Sequence, residues 1–267
     1  MNSTTRPRQT SARRSLIVEL VQRQQQVSVS ELSRQFGVSA VSIRRDLDTL
    51  HEARLLKRTH GGAHCLGGPS NSFFFDARLL KNVERKRAIG QAAAALVKPG
   101  EVILLDSGTT VLEIARCLPR PALESGSLTV VTRSLSIAAE LRAQRTISMI
   151  VLGGVYATEL DDFVGELVES ALQGLHVDTL FIGVDGVVAG RGLTTDNLLE
   201  VGIYRALAKC ASKVVVVADS SKIGANKMQT LLPLEAIHTM ITDAGAPQDF
   251  MQQLKEIGIQ VILVPLP

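Results

Sequence analysis

Seven short, mainly aliphatic runs recur along the second part of this 267-residue chain, at 102–105, 128–132, 148–152, 179–184, 214–218, 238–242 and 260–264. Helical stretches separate them. Strands that are apolar throughout, rather than apolar at every second residue, are buried on both faces, and strands separated by helices pair in parallel. The pattern predicts an α/β domain around a mostly parallel sheet with helices on both sides. With 45% apolar residues, only 3% aromatic and no tryptophan, the core of that sheet must be aliphatic. The sequence shows no internal repeat.

A different pattern occupies residues 27–63, VSVSELSRQFGVSAVSIRRDLDTLHEARLLKRTHGGA. Leu32 and Phe36 are four apart on one short helical segment, and Ile43, Leu47 and Leu50 share a face of a second. Between them Gly37 can take the positive φ that ends a helix, and Ser39 can cap the free amides of the next. This is a helix-turn-helix pattern. With Ile43, Leu47 and Leu50 inward, Val41 and Arg45 point most directly outward, flanked by Ser42 and Arg44. A hydroxyl and two arginines near the start of such a helix suit the major groove of double-stranded DNA, where arginine's planar fork bonds guanine or clamps phosphate. Next come Lys57, Arg58, His60 and Gly61 in a basic segment with a double glycine, which reads as a β-wing whose tip lies on the sugar-phosphate backbone. The DNA-binding candidates are therefore Ser39, Val41, Ser42, Arg44, Arg45, Lys57, Arg58, His60 and Gly61.

Charge supports the assignment. Residues 1–70 carry 11 Lys or Arg against 5 Asp or Glu, and the remainder 18 against 21. A basic head on a slightly acidic body is the electrostatic footprint of a polyanion-binding module. Cys65, Cys117 and Cys210 are far apart and odd in number, so neither a disulfide framework nor a zinc site is indicated, and a reduced, cytoplasmic protein is expected. No metal or cofactor is called for. No run approaches a membrane span, and no secretory leader is expected.

The expected domains are a head at 12–66, a linker at 67–75 rich in Gly, Pro and Ser, and a body at 76–267. Residues 1–11 read as disordered, 12–26 as a support helix and 76–98 as one helix with Lys86 and Arg87 on a solvated face. The aromatic run Phe73, Phe74 and Phe75 is expected to pack against the body or a partner subunit.

In a parallel α/β sheet, ligands bind at the carboxyl ends of the strands. The first run ends in Asp106-Ser107-Gly108-Thr109-Thr110 before a helix. Free amides, the helix dipole and three hydroxyls make this an anion site, although the Gly-Lys-Ser/Thr ending of a P-loop is missing. Further strand ends carry Thr132-Arg133-Ser134, Gly153-Gly154, Asp185-Gly186 and Asp219-Ser220-Ser221-Lys222.

The long run V-S-V-S-E-L-S-R-Q-F-G-V-S-x-x-S-I-R-R-D-L-x-x-L, ending in K-R-T-H-G-G-A, resembles the winged helix-turn-helix of the DeoR family of bacterial transcriptional regulators. Arg54 departs from it, standing where a glycine usually precedes the wing. The runs D-S-G-T-T, V-T-x-S-L, L-G-G-V-Y, F-I-G-V-D-G, G-L-T-T-D-N-x-x-E and D-S-S-K are similar to the family's C-terminal sensor domain, whose fold is related to ribose-5-phosphate isomerase and to coenzyme A transferase-like proteins. The resemblance implies a phosphorylated sugar effector that weakens the grip on operator DNA. It carries over Asp106, Gly108, Thr109, Thr110, Gly153, Gly154, Asp185, Glu200 and Lys222 as effector contacts, beside Ser107. Arg133 stands where an asparagine is common: its cation can strengthen a phosphate contact, or fill the pocket through an internal ion pair to Asp106. The expected assembly is a homodimer or homotetramer.

The alternative is a sugar-phosphate isomerase with an appended DNA-binding head. Asp185, Glu200 and Lys222 are the chemical types such an enzyme needs. Against it, Val184-Asp185-Gly186-Val187-Val188 offers one acid among apolar residues, where isomerases of the related fold carry clustered acids. The reading is a ligand-switched repressor and not an enzyme.

Overall fold

The structure, a computed structural model, describes residues 5–24, 26–53, 55–64 and 72–266. It divides into two compact units, one ending at Val83 and one beginning at Glu84. Residues 1–4, Arg54, and 65–71 with Cys65 and most of the expected linker lie outside the described residues.

The first unit opens with α1 (Thr5–Gln24), β1 (Gln26–Ser28), α2 (Val29–Phe36) and α3 (Ala40–Glu52). Residues 5–11, expected to be disordered, instead extend α1. Pro7 is tolerated there because the first-turn N–H groups have no intrahelical partner to lose. Ser28 and Glu31 form a reciprocal capping box at α2: the Glu31 amide donates to Ser28 Oγ at 3.2 Å, and the Ser28 amide to the Glu31 carboxylate at 2.9 Å. Gly37 ends α2 at φ 62, and Ser39 caps α3 by accepting from the Ser42 amide at 3.3 Å, as the sequence predicts. Ile17, Val21, Leu32, Ile43, Leu47, Leu50, Leu55 and Leu56 close the core.

The wing follows as β2 (Lys57–Thr59) and β3 (Gly62–His64), antiparallel, with β3 also pairing to β1. Gly62 is required there, since a Cβ would lie 2.0 Å from the Val27 carbonyl oxygen. α4 (Ser72–Leu80) belongs to this unit rather than to a linker and body. Ala77 and Leu80 pack on the head core, and Ser15 donates to the Leu80 carbonyl at 3.1 Å. Phe75 is buried. The single helix predicted over 76–98 is broken at Asn82, whose φ of 52 is a left-handed conformation that asparagine tolerates. On the following α5 (Val83–Ala94) Arg87 is exposed but Lys86 is buried, contrary to a solvated face for both.

The second unit continues through β4 (Val102–Leu105), α6 (Thr109–Arg116), α7 (Arg120–Glu124), β5 (Thr129–Thr132), α8 (Leu135–Leu141) and β6 (Ser148–Val151). A hairpin, β7 (Val155–Ala157) and β8 (Asp162–Val164), leads to α9 (Glu166–Leu172) and β9 (Val177–Ile182). Then come β10 (Gly186–Val188), β11 (Gly192–Thr195), α10 (Glu200–Cys210), β12 (Ala211–Val217), β13 (Gln229–Leu232), β14 (Thr239–Asp243), α11 (Gln248–Glu256) and β15 (Gln260–Val264).

All seven aliphatic runs become strands of one parallel sheet, in the order β15-β14-β12-β9-β4-β5-β6. Its core is aliphatic, with Leu104, Val131, Leu180, Ile182, Val214 and Val216 at the centre. Strand order runs one way from β4 to β6 and the other way from β9 to β15, so the topological switch lies between β4 and β9. Ligands of doubly wound sheets bind at the carboxyl edge of that switch. Two smaller antiparallel sheets, β7-β8 and β10-β11-β13, are inserted in the connections between the strands of the main one. Among the described residues no helix is long and apolar enough to cross a membrane.

Candidate functional site

In the head, the face of α3 turned away from the core carries Val41, Arg44 and Arg45, all exposed, with Ser42 half-buried at the capped end. The intervening Asp46 is buried and accepts from Arg13 Nε at 2.7 Å and Arg14 Nε at 2.9 Å. Those two charge-assisted bonds tie α3 to α1 and fix which way the outward arginines face. On the wing, Lys57, His60 and Gly61 are exposed, the last two at the β2–β3 turn. Arg58 differs: its Nε donates to Asp48 of α3 at 2.5 Å, so its guanidinium braces the wing against the helix.

In the body, the strand ends singled out in the sequence converge at the carboxyl edge of the sheet. Asp106 follows β4, and its amide donates to the Phe181 carbonyl of β9 at 3.1 Å. Gly108 precedes α6 at φ 113 with no side-chain cap on the helix, and Ser107 beside it and Thr109 and Thr110 in the first turn are buried. Arg133, after β5, is fully buried. Its Nε donates to Asp106 at 2.5 Å, its Nη1 lies 2.7 Å from Asp162 and donates to the Phe163 carbonyl at 3.2 Å, and its Nη2 donates to Ser107 at 3.1 Å and lies 3.7 Å from Glu200. Of the two roles open to Arg133 in the sequence, the internal ion pair is the one formed. Burial opposes its charge, but the carboxylates of Asp106 and Asp162 outweigh burial and raise its pKa.

A second group meets this one. Thr195 Oγ1 lies 2.9 Å from Glu200 and 3.1 Å from Asp185, and Lys222 Nζ lies 3.9 Å from Asp185. Tyr204 is one helical turn beyond Glu200 on α10, with its ring 6.0 Å from the Arg133 guanidinium and its hydroxyl donating to the Gly183 carbonyl at 2.9 Å. Burial drives the Glu200 carboxyl up to about 7; Arg133 pulls it down, Asp106 raises it and Thr195 lowers it. The result is a buried cluster rich in carboxylates and hydroxyls beside an uncapped helix N-terminus, suited to a polyhydroxylated molecule bearing an anionic group.

Of the residues singled out in the sequence, Asp106, Ser107, Arg133, Asp185, Glu200 and Lys222 are joined by these contacts. Gly153 is exposed, with open space where a side chain would stand, and Gly154 packs on the protein itself: a Cβ there would meet the Val164 carbonyl at 2.7 Å. Asp162, Thr195 and Tyr204 escape a linear reading. Tyr204 had a signal in its four-residue spacing from Glu200, whereas Asp162 lies on a strand too short to show a period. Among the described residues no group of acids, histidines or cysteines could hold a metal ion.

A winged head and a doubly wound body with a polar site at its switch point define a DNA-binding protein with a small-molecule sensing domain. Residues 13–67 match the DeoR-like helix-turn-helix domain and residues 81–244 the DeoR C terminal sensor domain, so the chain belongs to the DeoR family of transcriptional regulators. It is 33% identical to the HTH-type transcriptional regulator GolR of Listeria innocua, covering 93% of this chain and 96% of that one. It is 31% identical to the glycerol-3-phosphate regulon repressor of Escherichia coli, covering 92% and 96%. Among solved structures it is similar to ribose 5-phosphate isomerase A of Methanocaldococcus jannaschii, at 20% identity and a TM-score of 0.37 over 54% of this chain and 55% of that one.

Proposed function

We propose that this regulator is a cytoplasmic, homo-oligomeric repressor of a carbohydrate operon, released from double-stranded operator DNA by a phosphorylated sugar or related metabolite. The observation that carries the reading is the cluster at the switch point: carboxylates and hydroxyls for sugar hydroxyl groups, next to the hydroxyl-lined N-terminus of α6 for a phosphate. The name of the Escherichia coli relative, a glycerol-3-phosphate regulon repressor, supports a phosphorylated effector. In this reading Ser42, Arg44 and Arg45 enter the major groove, Ser39 and Val41 approach it, and Lys57, His60 and Gly61 lie on phosphates with Arg58 holding the wing. The effector sits on Asp106, Ser107, Gly108, Thr109 and Thr110, with Asp185, Glu200 and Lys222 opposite. Arg133 supports this site from within rather than binding the phosphate, because its donors are already spent on Asp106, Asp162, Ser107 and Phe163. Binding shifts the heads only to the extent that the effector prefers one of their arrangements.

The test is binding of the full chain to its own upstream DNA at a stated salt concentration, with and without glycerol 3-phosphate, hexose and pentose phosphates, the free sugars and inorganic phosphate. Release by a phosphorylated compound and not by its free sugar is the expected result. Tight binding that none of them alters would sink the switch. Turnover of a sugar phosphate, lost in Glu200→Gln, would instead make the body an enzyme.

A further inference from the structure

We propose that the free edge of β6, with the β7–β8 hairpin that follows it, is the surface on which a second copy of this chain docks in a two-fold, antiparallel arrangement. The inference rests on the homo-oligomer reading above and adds the surface and its link to the effector site.

β6 ends the sheet, so among the described residues one row of its backbone N–H and C=O groups has no strand beside it. Ile150 and Val151 point to opposite faces, yet each is 42% exposed. An apolar edge strand without proline or charge is a template for pairing with another chain.

The apolar surface continues onto the hairpin. Val155, 68% exposed, pairs with Val164, and Leu167, equally exposed, stands three residues beyond Val164 in the first turn of α9. Tyr156 pairs with Phe163 and donates from its hydroxyl to Asp161, whose carbonyl accepts from the amide of the exposed Leu135 at 3.2 Å. Single exposed apolar residues are ordinary on protein surfaces, but a group of this size around one strand and one hairpin marks an interaction site.

Charge selects a second copy as the occupant. Arg142 and Arg145 are exposed at the amino end of β6, and Glu166 is exposed at the opposite end, where α9 begins. Under a two-fold axis each copy's basic end meets the other's acidic end, which makes the surface complementary to itself. Side-by-side parallel docking would place like charges together.

The same hairpin closes the effector site from the other side. Its Asp162 and Phe163 carbonyl hold the Arg133 guanidinium, and the Phe163 amide donates to the Arg133 carbonyl at 2.9 Å. Because Arg133 ties the hairpin to Asp106 and Ser107 of the effector loop, a ligand that shifts that loop also moves the element on which the partner rests, and effector occupancy reaches the spacing of the two heads through the subunit contact.

Sedimentation velocity of the full chain over a range of concentrations tests this. The parent is expected to be a dimer or a multiple of one. Val155→Asp and Arg145→Glu should each raise the dimer dissociation constant by about tenfold or more while circular dichroism stays that of the parent. Arg145→Glu combined with Glu166→Arg should return it to within about threefold, since a two-fold contact restores complementarity when both signs are exchanged. A monomeric parent would overturn the oligomer reading together with the surface. An oligomer that Val155→Asp and Arg145→Glu leave intact would overturn the surface alone. If Val155→Asp fails to fold, the charge exchange decides.

Discussion

Arg133 and Glu200 show how far single residues govern the body. Arg133 is wholly buried and neutralised from within by Asp106 and Asp162. Arg133→Met should cost about 3–5 kcal/mol in urea denaturation, because it leaves those carboxylates uncompensated inside the protein. A loss under about 1 kcal/mol would mean that water reaches them. Glu200 has a pH signature. Its folded carboxyl titrates at about 7 against 4.5 when free, raised first of all by burial. The folded state therefore holds the proton more tightly than the unfolded chain. The stabilisation is complete below the free value and is lost as pH rises from 4.5 through 7. Glu200→Gln keeps an acceptor for Thr195 without a charge, so its melting temperature should hold across that window while the parent's falls. The gap should reach about 3 kcal/mol by mildly alkaline pH. Parallel melting curves for the two proteins would show that Glu200 does not set the pH dependence.

At the scale of elements, the recognition helix depends on its anchors as much as on its outward residues. The bonds from Arg13 and Arg14 to Asp46 set the roll of α3, and Arg45, exposed on the face turned away from the core, should then read a base edge. Arg45→Ala is expected to weaken operator binding by about 1–3 kcal/mol and to relax preference at one base pair. Equal loss on all DNA sequences would assign Arg45 to phosphate instead. The wing depends on Gly62, where any side chain collides with the Val27 carbonyl. Gly62→Ala should separate β3 from β1 and weaken DNA binding measured by fluorescence anisotropy, while leaving the body's circular dichroism unchanged. Operator binding at parental strength would show that the wing tip adds nothing.

For the whole molecule, the division at Val83 and Glu84 makes regulation a matter of coupling between two units. If a compound lowers operator affinity by some factor, operator DNA must lower affinity for that compound by the same factor. Calorimetry of the releasing sugar phosphate, with and without saturating operator at one assembly state, checks this. Unequal factors would show that the compound acts by another route, for example by changing the assembly itself.

Local chemistry made much of this protein legible before any contact was known. The seven aliphatic runs became the parallel sheet, and Gly37 and Ser39 became the turn and cap, because burial on two faces and helix capping are written in neighbouring residues. The strand-end loops were legible for the same reason: parallel topology alone sends them to one edge. What joined them was not. The Arg133–Asp106 bond spans 27 residues and Arg13–Asp46 spans 33, and neither leaves a periodic trace. The hairpin bearing Asp162 and the small sheet bearing Thr195 are built of strands of three or four residues, too short for periodicity to show. Composition and spacing determined the two kinds of domain and the edge at which the strand-end loops gather. Only the tertiary structure decided which charges meet there, because the desolvation that forces buried ions to pair exists only once the chain has closed around them.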